Sequence, residues 1–340
     1  MPTSSFTKTS RRKSWCLRLL QAVPALTVAT ALCAATGVAQ AEAWPSKPVR
    51  VVVPYGPGGI ADISARSIAQ KMSEITGQSF IVENRPGADT RIGTEAVSRE
   101  QGNDHVMLLA GGGFAVNNAL FDDLRYNTAT DFVPLGLVVS NPLLLVSGKS
   151  QPYNSVMELV EAAKAGENIT LASGGKGTLS HMSMELLAAN MHAPITHVPY
   201  KGGSAHTADV VSGLVTGIFE NPSSSLPLIR ADKYKVIATT GATRNPVLPD
   251  VPTVAESGVP GFEVINWFGL FAPAGIPEAS IDKMVSVVSE ALNDEALRQR
   301  FASEGVSVGG YLGKDFGKFV ADETVKWGEI VKAQNIRGNE

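Results

Sequence analysis

The chain has 340 residues, 44% hydrophobic and 18% charged, with a formal net charge of −3. That length and apolar content give a globular protein with room for two domains of roughly 150 residues each. So few charges, with acidic residues in slight excess, argue against a nucleic-acid partner held by a basic surface.

The first forty-odd residues differ from the rest. Lys8, Arg11, Arg12, Lys13 and Arg18 are their only charges, followed by an apolar stretch from Leu19 to about Val38. Ala39-Gln40-Ala41 then sets small residues around one variable position, so residues 1–41 read as a secretory signal peptide cut after Ala41. Pro24 and the Ala/Thr-rich make-up do not suit a stable membrane anchor, and no later run reaches the ~18 apolar residues of a spanning helix. Arg11-Arg12 is followed by Lys13-Ser14-Trp15, a loose match to a twin-arginine signal, so the general secretory route is expected. Both cysteines, Cys16 and Cys33, fall in the segment removed. The mature protein then has no disulfide, no cysteine metal site and no thiol nucleophile, and a periplasmic location is expected.

The mature chain opens on VRVVVPYGPGGIAD, Val49 to Asp62. The β-branched run Val49, Val51, Val52 and Val53 predicts a buried strand. Gly56, Pro57, Gly58 and Gly59 follow, and from Ile60 an amphipathic helix is expected to about Ile75, stopped at Gly77. A glycine loop leading into a helix start offers free N–H groups to an anion. Phe80 to Val82 predicts a second strand, Pro86-Gly87 a turn, and a helix starts near Gly93. Val106 to Ala110 is a third strand running into Gly111-Gly112-Gly113-Phe114. Repeated strand-loop-helix units imply a parallel α/β sheet whose ligands gather at the carboxyl ends of the strands.

From Leu135 to Ser147 two apolar runs meet at Asn141-Pro142, a candidate crossing between domains. A helix from Ser155 to Ala165 and a strand from Ile169 to Ala172 lead to SGGKGTLSH, Ser173 to His181. Helix (Met182 to Met191), strand (Thr196 to Val198) and helix (Thr207 to Ser212) follow, then Gly217-Ile218-Phe219 and a loop from Asn221 to Ser225. Tyr234 to Thr239 is a strand, and Trp267 to Phe271 a candidate return crossing. Helical patterns at Ile281–Leu292, Glu295–Ser303 and Lys314–Ala333 close the chain.

Four Gly-, Ser- or Asn-rich loops, at 55–62, 111–117, 173–181 and 221–225, follow expected strands and are split between the two halves. Together they suggest a cleft lined by neutral donors, suited to reversible anion capture. Ser173 and Thr178 either donate to a carboxylate or cap the helix that follows, and Asp62 either aligns a ligand or caps the first helix. Trp267 and Phe268 either stack on a ligand or belong to the core, and Lys201 and Arg91 are counter-ions or solvated charges. The spacing of His181, His197 and His206 matches no metal motif. No G-x-S-x-G elbow, P-loop or G-x-G-x-x-G is present, so neither enzyme activity nor a metal or cofactor is expected.

In order, VRVVVPYGPGGIADISAR, ENRPGADTRIGTEAV, ASGGKGTLSH, HVPYKGG, LPDVPTVAESGVPGFE and WFGLFAPAGIP resemble the Bug family, the periplasmic solute receptors of tripartite tricarboxylate transporters. The resemblance covers essentially the whole mature chain. It implies an α/β fold of the type II periplasmic binding class, two lobes joined by crossing strands around a ligand cleft. Lobe one is then 43–140 plus 266–340, and lobe two 141–265. It also implies a monomer that binds a small carboxylate and delivers it to membrane transporter subunits. A sensor presenting ligand to a membrane histidine kinase is the alternative, and a secreted hydrolase a distant third. Carried over by motif, the ligand residues are Tyr55, Gly58, Gly59 and Asp62 in lobe one, and Ser173, Gly177, Thr178, His181, Tyr200 and Asn221 in lobe two. Departures are Asp89-Thr90 in place of a glycine pair, Glu220 in place of Asp, and Gly113-Phe114 in place of a hydroxyl or histidine. Phe114 as a flat apolar wall would favour an aromatic carboxylate, for example a terephthalate-type dicarboxylate.

Overall fold

Strand β1 (Val49–Val53) is buried on both sides, with Val49, Val51 and Val53 in one apolar layer and Val52 in another. Such a strand belongs inside a sheet covered by helices on both faces. The computed structural model describes residues 44–338 apart from residue 203, so the expected signal peptide and both cysteines lie outside the described residues.

In chain order β1 is followed by α1 (Ile60–Thr76), β2 (Phe80–Asn84), α2 (Arg91–Ser98), β3 (Val106–Gly111), α3 (Gly113–Leu120) and β4 (Phe132–Pro142). Next come β5 (Leu144–Gly148), α4 (Val156–Lys164), β6 (Thr170–Ser173), α5 (Leu179–Met191), β7 (Thr196–Pro199) and α6 (Thr207–Ser212). Then follow β8 (Gly217–Glu220), α7 (Pro222–Arg230), β9 (Tyr234–Thr239), β10 (Ile265–Pro273), α8 (Glu278–Leu292), α9 (Glu295–Ala302), β11 (Ser307–Val308) and α10 (Gly313–Ala333).

The strands form two sheets, ordered β11-β4-β10-β3-β1-β2 and β7-β6-β8-β5-β9, giving a two-lobe α/β fold. Neither is wholly parallel, as the repeated strand-loop-helix units had implied. β1 runs parallel to β2 and β3, but β10 is antiparallel to both β3 and β4, and β5 to both β8 and β9. The reversal comes from the crossings, which pass extended between the sheets instead of returning through a helix. β4 enters β5 through Leu143, and residues 240–264 lead back to β10. Fully buried Thr240 joins the two passages. Its hydroxyl accepts from Leu143 N (2.8 Å) and donates to Val264 O (2.5 Å), while its backbone bonds both residues again at 2.9 and 3.0 Å.

One face of the first sheet packs on α1 and α8 through Ile68, Met72, Met284 and Val287. The other meets α3 and α10 through Phe114, Phe316 and Trp327. Two stretches expected to be loops are helical. α3 starts at Gly113, leaving Gly112 as the sole link from β3, because Phe114, Ala115 and Val116 gain more from burial than glycine loses in propensity. Asn221 is the N-cap of α7 and Pro222 its first residue, where a missing N–H costs nothing.

Candidate functional site

Four helices begin at one cavity of about 80 Å³ between the sheets. Gly59, Ile60 and Ala61 open α1, and Gly112 and Gly113 open α3. From the second sheet come Thr178, Leu179 and Ser180 at the start of α5, with Asn221 and Ser224 at the start of α7. The first-turn N–H groups of a helix have no intrahelical partner and carry its positive dipole end. Two such ends from each sheet therefore face a shared space, an arrangement that favours a negative group. Among the described wall residues there is no Lys or Arg; the ionisable side chains are Tyr55, His206 and Glu220. Phe268, edge-on to Tyr55 at 5.6 Å, adds an apolar wall with Leu143 and Ile218.

Of the residues expected at a ligand, Tyr55, Gly59, Gly113, Thr178 and Asn221 line this cavity. The rest are elsewhere, and each has a physical reason. Asp62 is buried and turned back on its own loop, accepting from Gly58 N (3.1 Å) and Asn84 Nδ2 (3.0 Å) and pairing with Arg66 at 2.9 Å. Burial alone would raise its pKa, but the bonds from Arg66, Gly58 and Asn84 outweigh it and hold it below the usual range. Gly58, with φ at +84°, shapes the turn and gives its amide to Asp62 and not to the cavity.

The 173–181 loop is braced in the same way. Ser173 Oγ is fully buried, accepts from Gly175 N (3.1 Å) and lies 2.6 Å from His197 Nε2. Gly177 N donates to His181 Nδ1 (3.1 Å), whose Nε2 meets Glu185 at 3.1 Å. The His181 and His197 rings stack at 4.0 Å. Burial, with help from His181 and Lys176, pushes the His197 pKa down to about 3. Thr178 is the helix cap, accepting from His181 N at 3.4 Å, and it also faces the cavity.

Phe114 corrects the sequence expectation most sharply. Its ring is buried against Phe271 (4.7 Å) and Phe132 (5.2 Å), so it fills the core and forms no cavity wall. α3 presents its glycine start to the cavity and its apolar face to the sheet, which turns Phe114 away. Trp267 is likewise core, its indole N–H bonded to Glu323 at 3.2 Å. Tyr200 and Lys201 line a separate outer recess of about 430 Å³ that shares Tyr55, Gly174 and Gly202 with the inner cavity. Arg91 is paired with Asp123 at 2.8 Å and stands over the Phe121 ring.

Ser224, from the 221–225 loop expected in the cleft, lines the cavity, and so do His206, Glu220 and Asn266, which sequence reasoning did not place there. Asn266 and Asn141 sit on the crossings, and both donate to Asn221 Oδ1, at 2.7 and 3.2 Å. A polar residue just before an apolar crossing strand was an available signal for Asn266. Across the cleft the sheets' elements already touch: Leu179 packs on Gly112, and Asp89 Oδ1 accepts from Lys176 N at 2.9 Å.

Residues 64–336 match the family model described as the tripartite tricarboxylate transporter family receptor. BugT of Bordetella pertussis is 32% identical over 92% of this chain and 96% of its own length. A protein from a tcbD-tcbE intergenic region of Pseudomonas sp. is 32% identical over 88% of this chain and 90% of its own. Among solved structures, the periplasmic binding protein BugD superposes with a TM-score of 0.82 at 32% identity, covering 86% of this chain and 99% of that one. An R. palustris protein solved with adipate gives 0.82 at 32% identity, over 86% and 99% of the two chains. MatC from Rhodopseudomonas palustris, solved with malate, gives 0.81 at 31% identity, over 85% and 100%.

Proposed function

The chain belongs to the tripartite tricarboxylate transporter receptor family of periplasmic solute-binding proteins, and we propose that it captures a small carboxylate and delivers it to membrane transporter subunits. The observation that carries this reading is the meeting of four helix N-termini at one cavity whose described walls hold no Lys or Arg. Backbone amides hold the carboxylate at full charge, and with no fixed counter-ion to dissociate from, the ligand is released when the lobes part. Tyr55, Gly59, Gly113, Thr178 and Asn221 form the ligand shell, and Asp62, Ser173, Gly177 and His181 hold the two loops in shape around it.

Lobe one comprises 43–140 with 266–340 and lobe two 141–265, and closure turns about the two passages joined by Thr240. The signal peptide, residues 1–41, exports a monomer through the general secretory route. Adipate and malate in two relatives support an aliphatic acid, and burial of Phe114 removes the residue on which an aromatic preference rested.

A thermal-shift panel of mono-, di- and tricarboxylates on protein unfolded and refolded without ligand tests the reading. A ligand at ~100 times its dissociation constant adds about 2.7 kcal/mol. Absence of any shift across the panel would overturn carboxylate capture.

A further inference from the structure

The turn between β2 and α2 has an unusual backbone. Ala88, Asp89 and Thr90 have φ of +44°, +53° and +75°, three side-chain-bearing residues in succession in the left-handed region. Such residues enter that region at a cost and usually singly, so a run of them persists only where its surroundings over-determine it. Here they do. Ala88 O accepts from Arg91 N (3.1 Å) and Arg91 Nε (3.0 Å), and Thr90 O from Thr94 N (3.1 Å) and Thr94 Oγ1 (3.0 Å). Aspartate tolerates the left-handed region best when its side chain bonds its own turn. Asp89 spends its carboxylate elsewhere. Among the described residues its one hydrogen bond crosses from the first sheet's lobe to the second's, accepting from Lys176 N at 2.9 Å.

The receiving loop, between β6 and α5, is fixed as firmly. Ser173 Oγ and Thr178 Oγ1 both donate to Gly175 O, at 3.0 and 2.7 Å, and Gly175 N donates back to Ser173 Oγ at 3.1 Å. A Cβ on Gly175 would stand 3.1 Å from Asp89 Oδ1, so the close approach of the carboxylate suits glycine there. Lys176 reaches the first lobe a second time, its Nζ donating to Gly338 O at 3.3 Å. Asp89 also lines the outer recess, which adjoins the inner cavity through Tyr55, Gly174 and Gly202. Two braced loops therefore meet beside the cavity through one charged acceptor and one main-chain amide.

We propose that Asp89 is a latch: its carboxylate clasps the Lys176 amide when the lobes meet, favours the closed cleft and slows the escape of a bound acid. The proposal rests on the reading of a cleft that closes over a carboxylate, and names the residue that sets how long it stays closed. Because the left-handed turn holds the carboxylate ready-placed, closure orders no further loop to make the bond. Opening exchanges the bond for water. Asp89 is half-buried, which puts the gain at the low end for a charged acceptor, roughly tenfold in the ratio of closed to open forms.

Asp89→Gly removes the carboxylate and keeps the turn, since glycine accepts a φ of +53° freely. Asp89→Asn keeps an acceptor oxygen in the same place. Two measurements on parent and variants test the latch: amide hydrogen exchange of ligand-stripped protein, and stopped-flow dissociation of malate, adipate or citrate, whichever binds. Asp89→Gly should speed exchange of the amides at the cavity wall, Gly59 to Ala61 and Leu179 to Ser180, and speed dissociation, each roughly tenfold. Exchange in β1 and β3 should not change, and Asp89→Asn should stay within a few-fold of the parent throughout. Should the glycine variant fail to fold, Asp89→Ala should show the same losses. Parent-like rates in either measurement would overturn the latch and leave carboxylate capture standing, and so would faster exchange that extends equally to β1 and β3. Failure of all three acids to bind the parent, with a flat thermal panel, would overturn capture instead, and exchange alone then decides the latch.

Discussion

Replacing Gly112 with alanine tests the packing of one lobe on the other. Its backbone (φ −54°, ψ −29°) is ordinary right-handed helix, so alanine asks nothing of the local chain. The added Cβ, however, would stand 2.3 Å from Leu179 Cδ1 and 2.4 Å from Leu179 Cγ, where carbon atoms need about 3.5–4.0 Å. The wall bearing Leu179 must then retreat by more than about 1 Å, and a side chain now 2% exposed loses its seat. Burying a leucine contributes about 1.5–3 kcal/mol. Ligand binding that depends on closure should therefore weaken by roughly ten- to a hundredfold. The assay is calorimetric titration of Gly112→Ala, Leu179→Ala and the double variant with whichever acid shifts the parent most. The double variant should bind no worse than Leu179→Ala alone, because alanine at 179 leaves room for the new methyl. Parent-like binding by Gly112→Ala, or additive losses in the double variant, would refute the reasoning.

Three further outcomes are expected. His197 stays neutral in the fold down to about pH 3 while the unfolded chain takes up a proton near 6.5, so stability should fall as pH drops through that window. The slope is at most ~1.4 kcal/mol per pH unit and is reduced by the partial exposure of the ring; His197→Gln should flatten it in urea titrations, and parallel profiles would refute it. Phe114→Leu should cost about 1–2 kcal/mol of stability and leave the ranking of aromatic against aliphatic acids unchanged; a changed ranking would restore Phe114 to the ligand. Asp62→Asn should cost about 1.5–3 kcal/mol at pH 7 by removing the charged acceptor of Gly58, Asn84 and Arg66. Because the Asp62 pKa is depressed in the fold, that cost should fade as pH falls below the ordinary carboxylate range, and a pH-independent cost would point to packing instead.

Much of this fold was legible because it is written locally. The valine run of β1, the left-handed Gly77 that ends α1 and the helix start at Ser155 each declare themselves within a few residues. The sheet directions did not, since β10 finds β3 and β4 only after the chain has built an entire second sheet. The site divides along the same line. Glycine-rich helix starts were visible in sequence, yet which side chains turn inward depends on distant partners. Asp62 is claimed by Asn84 and Arg66, His181 by Gly177 and Glu185, and Phe114 by Phe271 and Phe132. The His206–Glu220 pair joins the α6 N-cap to the last residue of β8, a proximity no spacing rule encodes.

The asparagine junction has a mechanical consequence. Asn141 and Asn266 lie where the chain passes between lobes, and Asn221, which both grip, is also part of the cavity wall. On the proposed closure about these passages, a molecule in the cavity would press close to the pivot, at the short end of a lever. The Asp89–Lys176 contact at the rim is at the long end. On that proposal a fraction of an ångström taken up at Asn221 would become a wider swing at the rim, and a small solute would reshape the outline of the protein without touching its edge.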